Sequence, residues 1–161
     1  MEDVLKTLLD QEETLQFTAF DENKAWELGS LLVRTAMARK LPIAVDIRRG
    51  ERQLFHASLQ GASADNDQWI ARKVRTVNRF GHSSFYIGNY LKSLGKSLSE
   101  KYFVSELEYA FQGGGFPIKV RGSGMVGTVA VSGLPQEEDH KLIVECIASL
   151  LQKETPQIRE S

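Results

Sequence analysis

The chain has 161 residues, 42% of them hydrophobic, and a formal net charge of −1. That is enough apolar material for one core, and too little net charge to recruit a polyanion through a global field. Cys146 is the only cysteine, which excludes an intrachain disulfide and ties nothing to an oxidising compartment. The opening MEDVLKTLLDQEETL is acidic and amphipathic, unlike a secretory signal, and no apolar run approaches the roughly 20 residues of a membrane helix. A cytoplasmic protein is expected, with neither membrane nor nucleic-acid partner.

The first segment, to about Thr14, places Val4, Leu5, Leu8 and Leu9 on one helical face. LQFTAF then alternates Leu15, Phe17 and Ala19 inward, which predicts a short strand. Asp21 is the N-cap of a second helix that carries Ala25, Leu28, Leu32 and Ala36 and ends near Lys40, ahead of Pro42. IAVDIRRGERQLFHASL predicts two strands about a turn at 48–51, where Gly50 can take positive φ. ASADNDQWIARKVRTVNRFG predicts a helix of about four turns, capped by Ser63 or Asp65 and ended by Gly81. A shorter helix starts at Ser83 or Ser84 and breaks at Gly95, and the SELE at 105–108 fits a capping box for another brief one. FPIKV and MVGTVAVSG supply the last strands. The closing helix runs from Pro135 to about Lys153, with Ile143, Ile147, Leu150 and Leu151 inward. A single domain over 1–153 follows, with a disordered tail over 154–161. The fold class is α+β, an antiparallel sheet with helices packed on it.

Gly122, Gly124 and Gly127 spell a dinucleotide-binding fingerprint, GSGMVG. That motif works only where a helix begins near its third glycine and turns its N-terminus to the pyrophosphate. Here TVAVSG follows, β-branched and alternating, so the segment continues as a strand and RGSGM is a hairpin turn. GKS at Gly95 lacks the earlier glycine of a P-loop, because Tyr90 stands there. No G-x-S-x-G elbow occurs, no His/Cys pair has zinc spacing, and no metal site is expected.

Trp69 with Arg72 and Lys73, then His82-Ser83-Ser84, then GGGFPI at 113–118, then VSGLPQEEDH at 131–140 follow one another in that order. In this the chain resembles the GlcG/HbpS-like superfamily, whose domain carries the label haem-degrading. It is most similar to that group's small, functionally uncharacterised proteins. The resemblance spans about Val4 to Leu151. It implies a profilin-like, five-stranded antiparallel sheet with helices on both faces, and self-association into homodimers or larger closed assemblies. Haem binding belongs to a distant branch without the HSS and EDH motifs. Among the candidate axial ligands His56, His82, His140, Met37 and Met125, no spacing pairs any two. No cofactor is therefore expected.

Lys73 falls inside the apolar arc of Trp69, Ile70, Val74, Val77 and Phe80, while Arg72, Arg75 and Arg79 lie opposite. Such a lysine either snorkels to the rim of the sheet or holds an anion in a partly apolar pocket. His140 shares the inward face with Val144, Ile147 and Leu151, as a hydrogen-bonded core residue or a site residue. His82, Ser83 and Ser84 follow a glycine at a helix start, a geometry that serves capping and anion binding equally. Lys73, His82, Ser83, Ser84 and His140 are thus the candidate polar pocket of a small anionic ligand. Two alternatives stand beside this reading: an enzyme acting on a small carboxylate, with His140 or His82 as base and Lys73 as stabiliser, and an interaction scaffold without small-molecule chemistry.

Overall fold

The computed structural model describes residues 1–154 and 156–158. Among them are six helices and four strands. In chain order these are α1 (Glu2–Thr14), α2 (Glu22–Ala38), β1 (Ala44–Arg49), β2 (Arg52–Ser58), α3 (Ala64–Phe80), α4 (Ser84–Leu94), α5 (Leu98–Tyr102), β3 (Gly115–Val120), β4 (Gly124–Ser132) and α6 (Gln136–Leu151). Every strand pair is antiparallel, in the order β2-β1-β4-β3.

The sheet has four strands, where the family resemblance implies five. LQFTAF adds only an isolated parallel bridge, Phe17 to Val120, beside the outer strand β3. The alternation fails after Phe17: Ala19 is exposed and Phe20 turns in, its ring 5.1 Å from that of Phe17 and edge-on to it. Asp21 then starts α2 by accepting from the Lys24 N–H at 2.9 Å, so the segment has no length left in which to extend a ladder. The brief helix expected from SELE is a turn, in which the Ser105 carbonyl accepts from the Tyr109 N–H and its Oγ from the Leu107 N–H. The capping box instead operates one segment earlier, where Ser97 and Glu100 open α5.

Alternation along β1 and β4 divides the core. Val45, Ile47, Val129 and Val131 meet α2 and α6 on one face, and Ala44 and Ala130 meet Ile70 and Val74 of α3 on the other. Helices therefore cover both faces. Gly122 and Gly124 take φ of 81° and 79° in the β3–β4 hairpin, and Gly127 sits within β4, where a Cβ would lie 2.7 Å from the Arg48 carbonyl. The fingerprint glycines thus serve the backbone, as the β-branched residues after them predict. Of the tail, the Pro156 carbonyl accepts a hydrogen bond from Gln11 Nε2 at 2.9 Å; residues 155 and 159–161 lie outside the described residues.

Candidate functional site

The stretch at Gly113–Gly115, leading into β3, is where the four sequence motifs meet. A Cβ on Gly113 would strike the Gln136 carbonyl and the Phe85 ring. One on Gly114 would lie 2.5 Å from the Val131 carbonyl and 2.6 Å from Lys73 Nζ, and one on Gly115 would press on Val77 and Ser84 Oγ. Close approach, together with a φ of 129° at Gly114, requires glycine there.

Lys73 is neither at the rim nor unpaired. It is 2% exposed, and its ammonium donates to Asp139 Oδ2 at 3.1 Å and to the Val131 carbonyl at 2.9 Å. Asp139 is buried equally, and its Oδ1 accepts from the Leu134 N–H at 3.0 Å. Burial pushes both groups toward their neutral forms, Asp139 up to about 6 and Lys73 downward, each opposed by the charge of the other. The pair floors a pocket of about 300 Å³ lined by Asn66, Trp69, Gln112, Ser132, Gln136 and their neighbours.

The His82-Ser83-Ser84 start of α4 also carries an anion, and that anion is the chain's own Glu12. The carboxylate of Glu12, 2% exposed, accepts from the Ser83 N–H at 3.2 Å, meets His82 Nδ1 at 3.0 Å, and pairs with Lys119 at 3.3 Å. Ser83 Oγ caps the helix by accepting from the Tyr86 N–H, and Ser84 Oγ accepts from the Gly115 N–H. His140 is 2% exposed, with Nε2 2.7 Å from Gln11 Oε1. The Pro156 carbonyl can only accept, so the Gln11 NH₂ faces it and Oε1 faces the imidazole. Nε2 therefore carries the proton, and Nδ1 is left as a lone pair, the one buried side-chain nitrogen or oxygen without a partner among the described residues. Burial holds the His140 pKa down at about 3.

Lys73 and Ser84 thus lie against the glycine stretch, and the five predicted residues do not line one pocket. Lys73 belongs with Asp139, His82 and Ser83 with Glu12, Ser84 with β3, and His140 with Gln11. Asp139, Glu12 and Gln11 escaped the sequence reading, though each had a signal. A lysine inside an apolar arc calls for a buried carboxylate, and the inward positions Val4 and Leu8 continue at helical spacing to Gln11 and Glu12. The arginine stripe of α3 is pinned by the chain itself. Arg72 stacks on Trp69 at 4.0 Å and donates to the Glu106 carbonyl, Arg75 donates to the Glu108 carbonyl, and Arg79 lies over Phe80 and Tyr109.

A family model described as "Haem degrading protein HbpS-like" matches residues 20–148. A UPF0303 protein of Pseudomonas entomophila (strain L48) is 49% identical over 147 residues, covering 91% of this chain and 82% of that protein. The crystal structure of the Ybr137w protein superposes with a TM-score of 0.86 at 35% identity, over 92% of this chain and 87% of that one. A PduOC:heme complex shares the fold alone, with a TM-score of 0.69 at 17% identity over 86% of this chain and 99% of that one.

Two outcomes follow from these partners. Replacing Lys73 by Met strands the Asp139 carboxylate in the interior and should cost on the order of 3–5 kcal/mol. This reverses the neutral or stabilising effect that the apolar arc alone suggests. Lys73→Met combined with Asp139→Asn should lose clearly less than Lys73→Met alone, as read from urea unfolding.

The pH response separates the other two groups. Between about 6.5 and about 3 the unfolded chain binds a proton that buried His140 refuses, so stability falls as pH falls. Between about 6 and 3.8 the native protein protonates Asp139 before the unfolded chain protonates that residue, so stability rises as pH falls. The histidine window is the wider. Between pH 6 and pH 4 the two opposite slopes nearly cancel in the unmodified protein, so His140→Gln should leave stability rising as pH falls over that range, measured as unfolding free energy at each pH.

Proposed function

The chain belongs to the HbpS-like family, and on that footing we propose that it is a cytoplasmic protein that binds a small carboxylate ligand in the pocket floored by Lys73. One observation carries the reading. Two of the three ammonium N–H groups of Lys73 are engaged within the chain, and the third remains to donate on the wall of a pocket that Trp69 and Leu134 line together with the amides of Asn66, Gln112 and Gln136 and the Ser132 hydroxyl. Gln112 makes no side-chain hydrogen bond among the described residues, and Gln136 uses only its oxygen, on the Gly113 N–H, which keeps its NH₂ available. Both oxygens of Asp139 are already engaged by internal donors, so the polar groups left to a ligand are mostly donors, and an oxygen-rich anion satisfies them. Binding is favoured over catalysis because neither His140 nor His82 lines this pocket.

Haem, which the family's description implies, does not fit the residues present. His140, whose Nδ1 is unpartnered, lines a cleft where Glu137 and Glu138 stand against Lys141 and Glu145 is paired with Arg39, the wrong sign for two propionates. His56 has a carboxylate at each ring nitrogen, Asp46 at 3.2 Å and Asp67 at 3.7 Å, and His82, Met37 and Met125 lie outside the cleft. Within the described residues no helix is long and apolar enough to cross a membrane, and the thiol of Cys146 is buried and free, in keeping with a reducing compartment.

A thermal-shift series of small mono- and dicarboxylates tests the ligand class. At least one should raise the melting temperature saturably, and Gln112→Leu should remove that shift while leaving the melting temperature of the ligand-free protein unchanged. No shift from any carboxylate at about 100 times a millimolar affinity would sink the carboxylate reading.

Self-association belongs to the same reading. Phe85 is buried against His140 within the chain. Trp26 and Met37 of α2, 67% and 64% exposed, remain uncovered. A closed homodimer or larger ring is expected, and sedimentation equilibrium at micromolar concentration should give a mass of at least twice 18.1 kDa.

A further inference from the structure

Beside the start of α6, on a different face from the Lys73 pocket, α1, α4 and α6 enclose a second cleft, of about 320 Å³. Its wall is apolar where Val4, Phe85, Val144 and Ile158 meet, and His140 is part of that wall. The imidazole is packed between aromatic rings, with Phe85 at 5.0 Å and Phe116 at 5.9 Å, and its Nε2 proton is held by Gln11. A buried lone pair with no donor is rare in native interiors, because leaving it unmade forfeits a hydrogen bond that water would supply. The rim adds a sign. Glu145 is paired with Arg39 at 3.1 Å, which leaves Glu137 and Glu138 against Lys141, so the mouth favours positive over negative charge.

We propose that this cleft is a binding site for a small amine with an apolar body, whose N–H donates to His140 Nδ1 while its hydrocarbon part packs on Phe85, Val4 and Val144. The site is independent of the carboxylate pocket. It shares no lining residue with that pocket, and it selects the opposite charge. The volume suits a ligand of roughly ten to a dozen heavy atoms, at the lower end of small-molecule sites. The tautomer that Gln11 and Pro156 impose is what makes the site an acceptor: with the proton fixed on Nε2, Nδ1 can only receive.

The test compares three probes of one shape: phenethylamine, 2-phenylethanol and 3-phenylpropanoate. Protein labelled with ¹⁵N-histidine reports the ring nitrogens directly. In the free protein His140 Nδ1 should resonate as an unprotonated, unbonded nitrogen. Phenethylamine should move that signal saturably toward the hydrogen-bonded range, with the alcohol weaker and the carboxylate weaker than the amine by about tenfold or more. Glu137→Gln with Glu138→Gln, both exposed, should keep the fold and narrow the gap between amine and carboxylate. Gln112→Leu should change none of this, which separates the site from the carboxylate pocket. An Nδ1 signal that stays still up to about 10 mM amine, or equal affinity for amine and carboxylate, would overturn the proposal.

Discussion

The architecture around the glycine stretch depends on one ion pair. Lys73 lies on the face of α3 that meets the sheet, where an unpaired ammonium would cost several kcal/mol in lost hydration. Asp139 can neutralise it only if α6 begins close enough for its first turn to reach across the end of β4. The Val131 carbonyl completes the coordination of the lysine, and the Leu134 N–H completes that of the aspartate. The ammonium then lies so close to the chain at Gly114 that no side chain fits there. The third helix, the end of the fourth strand, the loop that follows it and the last helix are fixed together by one contact 3.1 Å long. A buried pair of this kind contributes less to stability than an apolar substitute could, and its worth lies in fixing one arrangement of the elements that share it.

The same logic attaches α1. Only Leu8 of its apolar residues is fully buried, and Leu9 is 37% exposed, so the helix is not held by an apolar stripe alone. Gln11 reaches His140 and the Pro156 carbonyl, while Glu12 takes the Ser83 N–H, His82 and Lys119. Each contact links α1 to an element distant in sequence, and each is direction-specific where an apolar contact would be tolerant. The N-terminal site of α4, which in another protein could hold a phosphate or a substrate carboxylate, is filled here from within the chain.

What the sequence made legible, and what it hid, divides along that line. Periodicity placed α2, α3 and α6, the β1–β2 and β3–β4 hairpins, and the glycines as backbone devices, because each rests on local rules: spacing, caps and turn residues. Position 73 was legible as an anomaly for the same reason. Its partner was not, since Asp139 in the first turn of α6 has an ordinary local explanation as an acid favoured at a helix N-terminus. Glu12 and Gln11 were hidden more deeply, because polar side chains on a surface helix are normally read as solvated. The LQFTAF strand failed in the reverse way. Its alternation holds through Phe17, and the core then asks for Phe20 instead of Ala19, a tertiary demand that no local window contains.

Asp139 and His140 are consecutive on α6, and consecutive helical positions point about 100° apart. One turns to α3 and the sheet edge, the other to α1 and α4, so a single peptide unit separates a pocket offering donors from a cleft offering an acceptor. Their ionisation is set by different neighbours: a lysine for Asp139, and aromatic rings with an amide for His140. Moving the register of α6 by one residue would place His140 against Lys73 in one direction, or Asp139 among Phe85 and Phe116 in the other, and neither side chain would keep the partner it has now. Pro135 at the N-cap and Gln136 Oε1 on the Gly113 N–H hold that register from both sides. The chemistry available on either face of the helix therefore depends on where the helix begins, and that point is fixed by the glycine stretch it leans on.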